Sequence, residues 1–88
     1  MTEDTLIELR QNIDQIDQEL VRLLNKRATF ALETRKAKSL QGFDVYDPNR
    51  ERAVLEKIDK MNDGPIPKGL MEDIYATIIS ACRQIQFY

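Results

Sequence analysis

Histidine and tryptophan are absent from this 88-residue chain, and cysteine occurs once, at Cys82. Without histidine there is no imidazole for acid–base triads or for zinc, and beside a single thiol only carboxylates remain as metal ligands. One cysteine also forbids an internal disulfide, so the fold has none of the covalent staples on which small secreted domains rely. No run of about 18 apolar residues is present to cross a bilayer. The opening Met1-Thr2-Glu3-Asp4 is acidic and polar where a secretory leader is basic and then apolar, so a cytoplasmic location is expected. Thirteen basic against fifteen acidic side chains give a net charge of -2, which supplies no general pull toward nucleic acid or anionic lipid. An anionic partner must then be held by a few placed cations.

Glycine and proline are scarce and late, with neither occurring before Gly42. In the uninterrupted stretch ahead of it, Leu6, Leu9, Ile13, Ile16, Leu20 and Leu23 alternate spacings of three and four, the stripe of a coiled-coil-like helix. One helix from Leu6 to Leu40 is about 50 Å long at 1.5 Å per residue. A compact chain of this length has a radius of gyration of only about 12 Å. A helix that outruns its own globule must bury its stripe against another chain or leave it wet. The expectation is an obligate oligomer, most simply a two-fold homodimer.

Gln41 to Tyr46 reads as a loop, Asp47 as an N-cap, and Pro48 as the first residue of a second helix that runs to Asn62 with Val54, Leu55, Ile58 and Met61 on its apolar face. The breakers between Asp63 and Gly69 end it. A third helix from Lys68 to Ile85 turns Leu70, Met71, Ile74, Tyr75, Ile78, Ile79 and Ile85 inward. The fold class is all-α, with three helices in a single domain over residues 1–88 and no internal repeat.

Polar residues interrupt these apolar faces. The first stripe continues past Leu23 into Arg27, then Phe30, Thr34 and Ala37, and Lys38 lies eleven residues beyond Arg27, only about 20° round the helix. Either cation alone reads as a long side chain reaching water, Lys38 also favouring the helix C-terminus. Two on one face beside a core seam read as an anion site. Glu51 stands four residues before Leu55 and seven before Ile58, in line with the buried face. Cys82 and Gln86 extend the face of Tyr75, Ile78 and Ile79; the thiol also reads as a small buried hydrophobe and the amide as a solvated residue of the last turn. Arg10 precedes Arg27 by seventeen residues, about 25 Å of helix, so the two cannot share a pocket within one chain. Antiparallel pairing of two first helices brings Arg10 of one copy near Arg27 of the other; otherwise it is an exposed arginine.

The run from Leu9-Arg10 to Ile16-Asp17, then Leu23-Leu24-Asn25-Lys26-Arg27, Lys36-Ala37-Lys38, Asp47-Pro48-Asn49-Arg50-Glu51 and the stretch from Ile78 to Gln86 resemble the all-helical (AroQ-class) chorismate mutases over essentially the whole chain. The resemblance implies an intertwined homodimer of three-helix subunits, each site borrowing an arginine from the other copy. It implies that Arg10 of the second copy and Arg27 hold the two carboxylates of chorismate. Lys38 would touch a carboxylate and the ether oxygen, and Gln86 would donate to that same oxygen. Glu51 and the backbone at Asp47 would meet the ring hydroxyl, with Arg50 in support. Cys82 stands where a hydroxyl side chain often meets a carboxylate, and a thiol is the weaker donor.

The reaction so implied, chorismate to prephenate in phenylalanine and tyrosine biosynthesis, is an intramolecular Claisen rearrangement. It calls for no base, nucleophile, metal or redox cofactor, so the lack of histidine is no handicap. Other readings of the same residues are an isochorismate-pyruvate lyase of the same fold and a helical dimerisation or regulatory module without catalysis. Mutase domains of this class are often fused to prephenate dehydratase or dehydrogenase, so the chain reads either as a free enzyme or as such a domain.

Overall fold

The computed structural model describes residues 2–41 and 47–87, with side chains as far as residue 37 in the first segment. The expected loop of residues 42–46 and the side chain of Lys38 lie outside the described residues. The helix formers ahead of Gly42 make one helix, α1 (Glu3–Gln41), of 39 residues. It begins three residues before the apolar stripe, because the entry is set by a cap. The Thr2 hydroxyl accepts the Thr5 backbone N–H at 3.2 Å, and Glu3 and Asp4 complement the positive end of the helix dipole.

The second helix, α2 (Pro48–Met61), enters as the Asp-Pro pair requires, the Asp47 carboxylate accepting the Arg50 backbone N–H at 3.0 Å. It stops one residue short of the expected Asn62, because that side chain serves the turn instead. Its Nδ2 donates to the Ile66 carbonyl at 2.9 Å and its Oδ1 accepts the Gly64 N–H at 3.1 Å. Gly64 has φ 88°, a conformation that a β-carbon disfavours. The third helix, α3 (Lys68–Gln84), gives way at Ile85 to a 3₁₀ turn, Ile85–Phe87.

Among the described residues α3 is the middle element, packed against α2 on one side and α1 on the other, and the terminal turn folds back onto α1. The resulting chain measures 59 × 25 × 16 Å, with a radius of gyration of 16.8 Å against about 12 Å for a compact chain of this length. Its apolar interior is correspondingly thin. Ile58 and Cys82 are buried, while Val54, Leu55, Met71, Tyr75, Ile78, Ile79 and Ile85 are half-buried. Met61, Leu70 and Ile74, expected to face inward, are exposed, Met61 at 68%. A stripe records which side of a helix prefers cover, and the single chain supplies too few neighbours to provide it. The same holds along α1, where Ile13 and Ile16 are 56% and 58% exposed.

Candidate active site

Arg27, Ala31 and Arg35 follow one another at intervals of four along α1, a ridge that drifts by about 40° per step round the helix. It meets the C-terminal part of α3 and the 3₁₀ turn. Arg27 Nη1 donates to the Cys82 Sγ at 3.2 Å, and Arg35 Nη1 donates to the Gln86 main-chain carbonyl at 2.7 Å. The Arg35 guanidinium carbon also stands 5.7 Å from the centroid of the Phe87 ring, within cation–π range. From the other side, the first turn of α2 presents Glu51, whose Oε1 accepts a 3.0 Å bond from Arg83 Nη1.

These contacts rim a cavity of about 290 Å³ with apolar wall at Phe30, Ala31 and Ile79, close to the lower end of the roughly 300 to 1,000 Å³ usual for small-molecule sites. Among the described residues four arginines line it, Arg27, Arg35, Arg50 and Arg83, against two carboxylates, Asp47 and Glu51. The Glu51 carboxylate keeps acceptor capacity after its pairing with Arg83, since a carboxylate has about four lone-pair positions.

Of the residues singled out from sequence, Arg27, Asp47, Arg50, Glu51, Cys82 and Gln86 all line this cavity. Arg10 does not, and it is exposed on α1, as seventeen residues of intervening helix require. Cys82 is 7% exposed, and its sulfur accepts from a guanidinium. Gln86 is half-buried, and its side-chain Oε1 is buried without a hydrogen-bond partner. Arg35 and Arg83 were not anticipated. The four-residue ridge from Arg27 was the available signal for Arg35. Arg83 carried none, because its partner Glu51 lies 32 residues away.

The arrangement defines an all-helical protein whose described residues set arginines and apolar wall round one cavity. Among the described residues, no helix is long and apolar enough to cross a membrane. The sequence pattern of the family described as chorismate mutase type II matches residues 9–87, and the chain belongs to that family. A bifunctional chorismate mutase/prephenate dehydratase of Aquifex aeolicus (strain VF5) is 40% identical over 87 residues, covering 94% of this chain and 24% of that protein. A chorismate mutase of Methanocaldococcus jannaschii is 31% identical over 58 residues, covering 66% of this chain and 59% of that protein. Among solved structures, chorismate mutase (form II) from Thermus thermophilus superimposes with a TM-score of 0.90 at 27% identity, covering 93% of both chains. The chain spans about a quarter of the length of the bifunctional dehydratases it matches.

Proposed function

We propose that residues 1–88 act as one chorismate mutase unit, an isomerase that converts chorismate to prephenate. The observation that carries this reading is the convergence of Arg27, Arg50, Glu51 and Gln86 on one apolar-walled cavity in which, among the described residues, cationic side chains outnumber carboxylates. The rearrangement breaks a carbon–oxygen bond as a carbon–carbon bond forms in the same molecule. What a protein contributes is confinement of the reactive, diaxial shape and donors aimed at the ether oxygen as negative charge grows there. Arginine suits the first task, since its planar fork grips a carboxylate in two places and stays charged at every physiological pH. Arg27 takes one carboxylate in this scheme.

A second copy of the chain completes the site. The exposed stripe of α1 gives a partner helix its landing surface, with Ile13, Ile16, Leu20 and Leu23 all uncovered. Antiparallel pairing along that stripe brings Arg10 of the second copy to the other carboxylate. Lys38 and the amide of Gln86 then donate to the ether oxygen, and Glu51 and the Asp47 backbone receive the ring hydroxyl. Substrate and product are soluble anions, which suits an enzyme of the cytoplasm.

Cation-lined cavities are costly to keep in an assembly module, because buried polar groups without partners destabilise the fold by roughly 1 to 3 kcal/mol each. The test is incubation of the purified protein with chorismate and, separately, with isochorismate. Prephenate from chorismate is the expected result. Salicylate and pyruvate from isochorismate, with chorismate untouched, would reassign the protein as a lyase; no turnover of either would leave a binding or assembly role.

A further inference from the structure

Arg35 combines three observations that the proposed reaction does not use. Its Nη1 holds the main-chain carbonyl of Gln86 at 2.7 Å, its guanidinium lies over the ring of the next residue, Phe87, and its Nε is buried without a hydrogen-bond partner. Gln86 Oε1 is likewise buried and unpartnered, and both residues line the same cavity. One orphan is a donor and the other an acceptor, and the two side chains are already tied through the Gln86 backbone.

An amide has two unlike ends, and only one serves a developing oxyanion. Turned with its oxygen toward the ether oxygen, Gln86 opposes the rearrangement; turned with its NH₂ group that way, it assists. A neighbouring N–H on the α1 side breaks this symmetry, since it accommodates the amide oxygen and repels the amide NH₂.

We propose that Arg35 is the positioning residue for Gln86: it anchors the Ile85–Phe87 turn onto α1 through the main-chain carbonyl, and its Nε–H, not bonded to the Gln86 Oε1 in this structure, pairs with that oxygen in the working enzyme, so that the amide NH₂ faces the ether oxygen. This rests on the chorismate mutase reading above. Arg35 touches no reacting atom in this role, so its removal acts on turnover more than on binding. A displacement of this kind costs on the order of 100-fold in rate.

The experiment begins with chorismate kinetics on wild type, Arg35→Ala and Arg35→Lys. The expected result is a kcat lowered by about 10- to 100-fold in both variants with KM little changed, because lysine can hold the carbonyl but has no Nε–H beside a second nitrogen. Full recovery of kcat in Arg35→Lys would overturn the proposal. A pH series then compares Gln86→Glu with the Arg35→Ala/Gln86→Glu double variant. A cation beside the new carboxyl lowers its pKa by about 1 to 3 units. The glutamate donates only when protonated, so the single variant gains activity only at acid pH, and loss of Arg35 moves that gain upward by about a unit or more. Coincident profiles would refute the contact. A readout independent of turnover is the ¹⁵N-detected exchange of the Arg35 Nε–H with solvent, expected to be slow in wild type and faster in Gln86→Leu. Equal exchange in the two proteins rejects the pairing even if chorismate proves not to be the substrate, whereas inactive wild type with the exchange difference intact rejects only the mutase reading.

Discussion

The 3.2 Å contact from Arg27 to Cys82 gives the sulfur an acceptor's part, and sulfur accepts weakly. A hydroxyl in its place accepts more strongly from the guanidinium and can itself donate to a carboxylate. Cys82→Ser is therefore expected to lower the KM for chorismate by about fivefold, the equivalent of about 1 kcal/mol for one hydrogen bond, with kcat unchanged in steady-state assays. Lys38 has a larger part in the proposed chemistry. A fixed donor to charge that grows in the transition state is worth roughly 3 to 4 kcal/mol, so Lys38→Ala is expected to reduce kcat by about 100- to 1,000-fold. Single-turnover rates at saturating chorismate check this free of product release. At this scale Arg27, Glu51, Cys82 and Gln86 could be read from the chain because each sits where an apolar face should continue, a local pattern. Arg83 could not, since its partner lies 32 residues away along the chain, and for Arg35 only the four-residue ridge from Arg27 gave a local sign, its contact at Gln86 lying 51 residues away.

Helix starts and stops follow from their capping chemistry. Asp47-Pro48 marked the entry of α2 in the sequence, and the Asp47 carboxylate does cap it. The start of α1 was misplaced by three residues because apolar periodicity begins at Leu6 while the capping hydroxyl belongs to Thr2. Between α2 and α3, Asn62 bonds at both ends of its side chain and Gly64 takes a positive φ. A β-carbon built at Gly64 meets nothing within 4 Å, so any penalty for substitution is conformational. Gly64→Ala is expected to destabilise the fold by about 1 to 2 kcal/mol, seen as a lower urea midpoint with an unchanged slope. A loss several times larger would point instead to a packing role for this turn.

The whole chain is a 59 Å rod with little interior, and this too is legible in the sequence, since helix length and globule size are both set by residue count. What periodicity could not supply was the depth of cover, and so Met61, Leu70 and Ile74 were assigned inward although one chain leaves them exposed. If a second copy covers α1, two charges on its stripe must expel that copy. The double substitution Ile13→Glu/Ile16→Glu is expected to yield monomers by sedimentation and to abolish mutase activity, although neither residue lines the cavity. Retained activity in a monomer would mean that Arg10 of a second copy is dispensable.

Because α1 carries Arg27 of the site and exposes its leucines and isoleucines along the rest, the helix that walls the proposed catalytic chamber is also the one that a second copy would cover in the proposed pair. Turnover per molecule should then fall when the protein is diluted toward the dissociation constant of the pair and return on reconcentration, tying metabolic output to the amount of enzyme more steeply than in direct proportion.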